Sequence, residues 1–319
     1  MELTFLGTGA GMPSARRNVS SIVLDLQAEC GLSWMFDCGE GTQHQLLKSH
    51  VKPGRIDRLF VTHLHGDHLF GIPGFLSSRS HLGGETPLTV YGPVGVETFV
   101  RTALGVSDSH LGYELRIVEL SQEGVVFEND RFVVEARRLA HRIESFGYRI
   151  VERDTPGALQ AERLRAAFGP LTGPLMGKLK RGETIVLADG TEVNGALFVD
   201  PPRKGRVVAV LGDTSPCPNA ALLAKGADLL VHEATFLAEL RDNALRFGHS
   251  TSVDAARTAF SAGAKQLLLT HISSRYAEEG EAAMLAEART LFAETHLAKD
   301  LTTWPILREN DPRMDNRDI

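Results

Sequence analysis

Short runs of apolar residues alternate with segments of helical periodicity along most of the chain. The apolar runs predict β-strands at 3–7, 21–26, 33–39, 58–63, 88–93, 131–141, 145–153, 206–214, 228–236 and 266–271. Helical periodicity predicts helices over about 94–104, 218–225, 252–262 and 279–295. Strands that alternate with helices in this way are typical of a layered α/β fold.

Candidate metal-binding side chains stand at the ends of several predicted strands. His63, His141, Asp213 and His271 each end or directly follow an apolar run. Taken singly, the later three also have purely structural interpretations. His141 could be a structural histidine, Asp213 a turn or helix-capping aspartate, and His271 a capped strand end. Because α/β folds collect their sites in loops at one edge of a sheet, the shared position favours one common site.

The densest group of candidate ligands is the sequence HLHGDH at 63–68. His63 and His65 are two positions apart, so in an extended segment both side chains project to the same side. Gly66 permits a sharp turn, after which Asp67 and His68 face a second position. This segment can therefore supply two ligands to each of two adjacent ions. The alternative is a polar surface loop. The presence of so many ligand-type residues directly after a buried strand argues against that alternative.

Length and composition are compatible with a cytoplasmic globular protein. The chain has 319 residues, 43% of them hydrophobic, which suffices for one large domain or two small ones. No apolar run approaches a membrane span, and the N-terminal MELTFLGTGAGMP lacks the features of a signal peptide. Cys30, Cys38 and Cys217 are odd in number and widely spaced, which predicts reduced thiols rather than a disulfide framework.

One segment, residues 153–181, departs from the alternating pattern. It has weak core periodicity, Gly-Pro pairs at Gly169 and Gly173, and six basic residues against two acidic ones. We interpret it as a protruding insertion in a single domain over 1–308, and the polar 309–319 as a flexible tail. The net charge of the whole chain, −6, argues against a strongly basic nucleic-acid binder, but this segment is a local basic patch.

Seven sequence motifs extend over nearly the whole chain and carry a family resemblance. They are FLGTGAGMPSARRNVSS, FDCGEGTQ, VTHLHGDHLFGIPG, LGDTSPC, HEATF, GHST and LLTHISSRY. With them the chain resembles the tRNase Z (ribonuclease Z) family, in its short form, within the metallo-β-lactamase superfamily. HLHGDH alone is specific only to the superfamily, whereas FDCGEGTQ, HEATF and GHST, together with a basic arm containing Gly-Pro, are much more specific.

The resemblance implies an αββα sandwich with a dinuclear metal site at one edge. Two zinc ions per subunit are implied, with manganese able to take the place of zinc. Their implied ligands are His63, His65 and His141 for one ion, Asp67, His68 and His271 for the other, and Asp213 as a bridge between both.

The activity implied by the resemblance is endonucleolytic removal of the 3′ trailer from tRNA precursors, leaving a 3′-hydroxyl on the tRNA and a 5′-phosphate on the trailer. In the family Asp67 corresponds to the proton acceptor, although ligation alone is the simpler role. His249 in GHST is the candidate general acid, oriented by Glu233 in HEATF. From sequence alone, His249 is equally well explained as a neighbour of a helix cap. We interpret His232 as structural.

Precursor tRNA is the implied partner, and a homodimer is the implied assembly. The basic segment 153–181 resembles the arm with which the family grips the body of tRNA, and either Gly-Pro pair could form its tip. Four other residues are candidates for phosphate contacts, with ordinary surface residues as the alternative: Arg16, Arg17, Asn18 and Arg275. The remaining histidines have no ligand spacing and are interpreted as ordinary surface or core residues: His44, His50, His81, His110 and His296.

Two other functions compete with the tRNA endonuclease. A related metallohydrolase acting on small phosphodiesters or sulfate esters would share the same core motifs, but it would leave the basic arm unexplained. A non-catalytic RNA-binding or scaffold protein is the other alternative. The complete set of seven candidate ligands argues against it, because a degenerate site would have lost some of them.

Overall fold

A computed structural model of the chain describes residues 1–308, and the tail predicted at 309–319 lies outside the described residues. The chain divides into two compact units. The first comprises residues 1–129, 133–151 and 207–307. The second comprises 130–132, 152–206 and, at the end of the described chain, Arg308.

The strands, in chain order, are β1 (Glu2–Gly7), β2 (Gly9–Ala10), β3 (Ser21–Leu26), β4 (Leu32–Phe36), β5 (Ile56–Phe60), β6 (Leu88–Pro93), β7 (Leu115–Leu120), β8 (Gly124–Glu128), β9 (Phe132–Leu139), β10 (Ser145–Glu152), β11 (Thr184–Val186), β12 (Glu192–Asn194), β13 (Val207–Leu211), β14 (Leu229–Glu233), β15 (Leu267–Thr270), β16 (Ile272–Ser273), β17 (Thr295–Leu297) and β18 (Thr303–Pro305).

The helices are α1 (Gln27–Cys30), α2 (Thr42–Lys48), α3 (Gly66–Leu69), α4 (Ile72–His81), α5 (Val96–Val106), α6 (Ala161–Phe168), α7 (Gly173–Lys180), α8 (Pro218–Ala224), α9 (Arg241–Phe247), α10 (Ser252–Ala262) and α11 (Glu278–Arg289). Short 3-10 turns cover Pro53–Arg55, Gly195–Phe198 and Ala238–Leu240. Among residues 1–308, no helix is long and apolar enough to cross a membrane.

The first unit is built on two seven-stranded sheets. One has the strand order β18-β1-β3-β4-β5-β6-β7, and the other has the order β17-β15-β14-β13-β10-β9-β8. Both mix parallel and antiparallel pairs: β4, β5, β6 and β7 run parallel in the first, and β13, β14, β15 and β17 in the second. Parallel strands buried on both faces explain why so many apolar runs are continuous rather than alternating.

The two sheets pack face to face, and each carries helices on its other face. Tyr148 of β10 lies against Phe36 and Phe60 of the opposite sheet, with ring centroids 6.0 and 5.2 Å apart, and its hydroxyl donates to the Val61 carbonyl. One outer core packs α4 and α5 on the first sheet, and the other packs α8, α10 and α11 on the second. These four layers confirm the predicted αββα sandwich.

The predicted helix at 279–295 is too long. Helix α11 ends at Arg289, and Thr295–Leu297 forms β17, which pairs in parallel with β15. The backbone of Leu267 donates to the Glu294 carbonyl at 2.9 Å, so sheet pairing takes over where the helical periodicity still continues in the sequence. Tertiary pairing of this kind routinely overrides a local preference.

The second unit has its own small core and extends beyond the basic segment predicted at 153–181. Leu164 of α6 and Leu179 of α7 are fully buried against Val193 and Phe198. Gly169 ends α6 with a φ of +72°, whereas Gly173 begins α7. Of the two Gly-Pro pairs, the one at Gly169 therefore occupies the turn between the helices, and the one at Gly173 starts a helix.

Candidate active site

Five strand ends of the first unit bring the predicted site residues together. His63 follows β5, His141 follows β9, Asp213 follows β13, Glu233 ends β14 and His271 follows β15. The side chains of His63, His68, Asp213, Glu233 and His271 are buried, whereas His65, Asp67, His141 and His249 are partly accessible. The site is therefore anchored on the sheets and open on one side.

Three histidine nitrogens converge at one position. His65 Nδ1 lies 3.1 Å from His63 Nε2 and 3.2 Å from His141 Nε2, and Asp213 Oδ2 lies 3.6 Å from His63 Nε2. Burial lowers the pKa of all three histidines, so they stay neutral, as metal ligands must be. His141 is also oriented from behind, since its Nδ1 donates to the Gly248 carbonyl at 2.6 Å.

A second group of ligand atoms lies beside the first. His271 Nε2 is 3.3 Å from both His68 Nε2 and Asp67 Oδ2. Asp213 faces this group too, with Oδ2 3.3 Å from His271 Nε2 and Oδ1 3.6 Å from His68 Nε2. Burial works against the charge of Asp67, but hydrogen bonds with His271 and His68 lower its pKa and keep it ionised.

The spacing of these atoms fits two divalent cations. A tetrahedral ion with bonds of about 2.0–2.1 Å to nitrogen holds its ligand atoms roughly 3.3–3.4 Å apart, close to the separations in both groups. Within each group the ligand atoms lie within 4.8 Å of one another. Nitrogen lone pairs and carboxylate oxygens crowded in this way repel each other unless a proton or a metal cation lies between them. Asp213 borders both groups, so its carboxylate is placed to bridge two ions.

Gly66 turns the chain as its position suggests, and it does so without a positive φ. It begins the short helix α3, which carries Asp67 and His68 around to the second group. A Cβ atom at Gly66 would lie 2.2 Å from the ring of Phe70, so a side chain there would require this exposed ring to move. Two non-glycine residues at the site, Asp37 and His271, do have positive φ values, of 57° and 56°. Such strained residues cluster at functional sites.

A histidine–carboxylate pair stands beside the two ligand groups. His249 Nδ1 lies 2.9 Å from Glu233 Oε1 and 3.8 Å from Asp213 Oδ2, and its ring stacks on that of His271. Burial alone would lower the pKa of His249, but the charge and hydrogen bond of Glu233, together with the charge of Asp213, raise it to about 9. His249 is therefore protonated at neutral pH and has a proton to donate.

The GHST segment also contains a helix cap, but the capping residue is Thr251. The Thr251 hydroxyl accepts from the Asp254 backbone, and the Asp254 side chain accepts from the Thr251 backbone, in a capping box at the start of α10. His249 lies outside this arrangement and faces Glu233 instead. The cap and the candidate general acid are thus separate neighbours.

We expect Thr251→Ala to lower the free energy of unfolding by about 1 kcal/mol, the typical contribution of an N-cap hydroxyl. Urea denaturation followed by circular dichroism measures this change. Thr251→Ser is the matched control, because it keeps the hydroxyl and should stay close to the unsubstituted protein. Equal midpoints for Thr251→Ala and the unsubstituted protein would mean that the capping box contributes no stability.

The structure separates the other candidates near the site. His232 is buried, with Nδ1 donating to the Glu233 carbonyl at 2.7 Å, in agreement with a structural role. Arg17 is buried too: it pairs with Glu281 at 3.1 Å and donates to the Ala298 carbonyl, so its assignment as a phosphate contact is wrong. Arg275 is exposed, with its guanidinium 4.9 Å from the centre of the Phe236 ring.

Arg16 and Asn18 remain partly available for a substrate. Arg16 is exposed but already pairs with Glu281 at 3.3 Å and Glu278 at 3.6 Å. The Asn18 side chain donates to the Glu40 carbonyl at 2.9 Å, which orients it towards the protein. Of the four residues considered for phosphate contacts, Arg275 is therefore the best placed to meet a substrate.

Sequence reasoning assigns no role to three residues that touch this site. Asp37 Oδ2 lies 2.7 Å from His68 Nδ1. Thr62 and Thr235 contact Nδ1 atoms of His63 and His271. All three are short polar residues within motifs noted from the sequence, but their role depends on contacts that spacing along the chain does not reveal.

Comparison with solved structures defines the class of protein. The structure is similar to the crystal structure of the short form of human tRNase Z, with a TM-score of 0.70 and 34% identity over 96% of this chain and 100% of that chain. It is also similar to the metallo-β-lactamase fold protein YhfI from Bacillus subtilis, with a TM-score of 0.65 and 21% identity over 95% and 98%. The fold is that of the metallo-β-lactamase proteins.

Comparison of sequences identifies the family. The chain is 56% identical over 308 residues to ribonuclease Z from Geobacillus kaustophilus, covering 97% of this chain and 100% of the relative. It is 54% identical over 306 residues to ribonuclease Z from Bacillus cereus, covering 96% and 99%. The chain belongs to the ribonuclease Z family, as the sequence motifs predict. Membership of this family implies the use of a divalent metal.

A family profile described as Anti-Pycsar protein Apyc1 matches a smaller part of the chain, residues 1–98. The matched region contains HLHGDH but ends before His141, Asp213 and His271. Because it covers less than half of the chain, this match does not assign the chain to that family.

Proposed function

We propose that the chain is a metal-dependent endoribonuclease that removes the 3′ trailer from tRNA precursors. The observation that carries this proposal is the His249–Glu233 pair set against seven converging ligand atoms, in a chain of the ribonuclease Z family. The pair supplies a proton donor, and the ligand atoms supply the metal site. Together they have the components that hydrolysis of a phosphodiester requires.

The seven side chains would hold two ions. His63, His65 and His141 would bind one, Asp67, His68 and His271 the other, and Asp213 both. We propose zinc, with manganese as a substitute, because the set of imidazole and carboxylate donors suits both metals. When bound, a pair of such ions provides a nucleophilic water near neutral pH and neutralises charge on the phosphate.

The remaining chemistry belongs to the protein side chains. Asp67, which stays ionised, orients the attacking water and accepts its proton while the new bond to phosphorus forms. The bond from phosphorus to the O3′ atom of the tRNA breaks, and His249 donates its proton to that oxygen. Glu233 keeps His249 oriented and charged. The products are a 3′-hydroxyl on the tRNA and a 5′-phosphate on the trailer.

One experiment tests this activity directly. A tRNA precursor with a 3′ trailer is incubated with the purified chain and zinc or manganese, and the ends of both products are mapped. We expect a single cut beside the discriminator base, with the end groups given above. The absence of cleavage with either metal would refute the proposal. Cleavage of bis(p-nitrophenyl) phosphate without cleavage of the precursor would instead indicate the small-diester hydrolase.

We propose that the second unit, with its basic helices, binds the body of the tRNA. Deleting about residues 155–180 is a poor test, because the deletion removes Leu164 and Leu179 from the core of that unit. Lys178 and Lys180 are exposed on α7 and can be changed without disturbing this core. Their charges are therefore the better target.

Lys178→Ala/Lys180→Ala is expected to raise KM for precursor tRNA by about tenfold. It should also make the slope of log binding constant against log salt concentration shallower by about two, since each phosphate contact contributes roughly one unit to that slope. Hydrolysis of bis(p-nitrophenyl) phosphate should not change. The control is Lys52→Ala/Lys225→Ala, which removes two exposed charges from the first unit. Equal KM values for the two double variants would argue against a role for α7 in binding.

The homodimer and the cytoplasmic location are further proposals. The homodimer rests on the family resemblance alone, and the cytoplasmic location rests on the three cysteines and the N-terminal sequence. Light scattering on the purified chain tests the assembly, and we expect twice the mass of one chain. A mass equal to one chain at concentrations that support full activity would refute the dimer.

A further inference from the structure

Two threonine hydroxyls stand between buried carboxylates and candidate ligand histidines, one on each side of the site. Thr62 lies between Asp37 and His63, and Thr235 lies between Glu233 and His271. Both threonines are buried, with relative exposures of 1% and 5%. The repeated arrangement suggests that each hydroxyl performs a specific task at the site.

On the first sheet, the Asp37 carboxylate fixes the direction of the Thr62 hydroxyl. Asp37 Oδ1 accepts from the Thr62 backbone at 2.7 Å, and Oδ2 accepts from Thr62 Oγ1 at 2.8 Å. A hydroxyl has one proton, so Thr62 Oγ1 can meet His63 Nδ1, 3.0 Å away, only as an acceptor. Asp37 Oδ2 also accepts from His68 Nδ1 at 2.7 Å. One carboxylate thus orients two histidines.

On the second sheet, Glu233 and Thr235 repeat this pattern. Thr235 Oγ1 donates to Glu233 Oε2 at 2.7 Å and therefore accepts from His271 Nδ1 at 2.9 Å. The other carboxylate oxygen, Oε1, accepts from His249 Nδ1 at 2.9 Å and from the Thr214 backbone at 3.0 Å. This chain of hydrogen bonds joins a candidate metal ligand to the candidate general acid.

The direction of these bonds determines the tautomer of each histidine. With a proton held on Nδ1, the Nε2 atoms of His63, His68 and His271 are the ring nitrogens left to bind an ion, which would take the place of any proton on them. Those Nε2 atoms are the ones that converge in the two ligand groups. Partners behind a ligand histidine commonly fix its tautomer and tune its affinity for metal.

We propose that Thr62 and Thr235 are positioning residues for the metal ligands, and that Thr235 additionally couples His271 to His249 through Glu233. The second part rests on the proposed function, because it assumes that His249 takes part in cleavage. The two threonines therefore differ in what their loss affects. Both support metal binding, whereas only Thr235 also supports the proton donor.

Replacement by valine, which has nearly the same shape but no hydroxyl, tests the proposal. Zinc affinity is measured by competition with a chelator, and kcat and KM for precursor tRNA are measured at saturating zinc. Thr62→Ser and Thr235→Ser test whether the hydroxyl restores what valine removes. Thr258→Val is the matched control. Thr258 is also a buried threonine, but its hydroxyl donates to the Asp254 carbonyl of its own helix.

We expect Thr62→Val and Thr235→Val each to weaken zinc binding by about 10–100-fold, the usual effect of removing a partner of a metal ligand. Saturating zinc should recover most of the kcat of Thr62→Val. It should leave Thr235→Val at least about tenfold below the unsubstituted protein in kcat, with KM little changed. Both serine variants should lie within a few-fold of the unsubstituted protein, and Thr258→Val should be indistinguishable from it.

Several results would overturn the proposal. Unchanged zinc affinity in either valine variant refutes the positioning role. Serine variants whose zinc affinity falls as far as that of the valine variants refute it too. Full recovery of kcat in Thr235→Val at saturating zinc refutes the coupling to His249. If Thr235→Val does not fold, Thr235→Ala provides the same comparison. An unaffected His249→Ala would refute the proposed proton donor instead, and the zinc measurements would still decide the positioning role.

Discussion

Asp213→Asn is expected to abolish cleavage of precursor tRNA and to remove bound metal from the site. Asp213 is buried, and both of its carboxylate oxygens face histidine nitrogens 3.3 to 3.6 Å away. Burial works to raise its pKa, but electrostatic interaction with His271 and His68, together with the hydrogen bond to His68, lowers it, so Asp213 carries a negative charge into the centre of the site. Asparagine keeps the shape but lacks this charge and places an amide against the ligand nitrogens.

The expected loss of kcat/KM is at least about 10³-fold, which exceeds the 10–100-fold effect of losing a partner behind a ligand. Metal analysis after dialysis should find fewer than two ions per chain. Asp228→Asn is a suitable control, because Asp228 lies away from the ligand groups. Its carboxylate accepts a hydrogen bond from the Val207 backbone and pairs with Lys265. If the Asp213→Asn variant still holds two ions per chain and keeps its full activity, a bridging role for Asp213 is excluded.

Most of the fold could be predicted because its central strands are buried on both faces. Strands such as β13, β14 and β15 begin with or consist of continuous apolar runs, and the structure places them in the interior of the second sheet. The strands that the sequence did not predict include β7 and β8, which lie at sheet edges. Several of their residues are exposed, so they lack a continuous apolar run, and their pairing with β6 and β9 establishes them.

The sequence predicts an insertion at 153–181, but the full extent of the second unit escaped prediction for a related reason. Helices α6 and α7 each bury one leucine completely, Leu164 and Leu179, so neither shows a clear apolar stripe. Their shared core with Ile185, Val193 and Phe198 involves residues beyond 181, the boundary suggested by charge and Gly-Pro pairs. Charge indicates which surface is basic, but it does not show where a compact unit ends.

The site was predictable where ligands follow strand ends and hidden where side chains meet across the fold. His63, Asp213 and His271 share a position relative to their strands, and sequence displays that position directly. Asp37 and His68 are 31 residues apart, and the hydrogen bond between them exists only because β4 and β5 are neighbours. Residues that orient ligands are therefore recognised from structure, after the ligands themselves have been recognised from sequence.

His249→Ala is expected to lower kcat for precursor tRNA by about 10²–10⁴-fold, the usual contribution of a general acid. The tRNA oxygen that leaves phosphorus is a poor leaving group and needs a proton. In bis(p-nitrophenyl) phosphate the leaving p-nitrophenolate is a weak base and needs none, so the same variant should lose much less activity on that substrate. Comparable losses on both substrates would show that His249 acts in binding or positioning rather than in proton transfer.

The pH dependence supplies a second test of this pair. His249 has a pKa raised to about 9, and a general acid acts only in its protonated form. The kcat/KM for precursor tRNA should therefore hold at neutral pH and fall as the pH rises through about 9, because kcat/KM reports the pKa values of the free enzyme. Glu233→Gln removes the charge that raises this pKa, so the fall should move to lower pH and kcat should be reduced even at neutral pH.

The two variants together separate the roles of the pair. If Glu233 acts through His249, Glu233→Gln should not lower kcat further in a chain that already carries His249→Ala, because the group it supports is gone. Additive losses would mean that Glu233 acts on the site independently, for example through its bond to Thr235 and from there to His271. Zinc affinity distinguishes these cases, since a route through His271 weakens metal binding whereas a route through His249 does not.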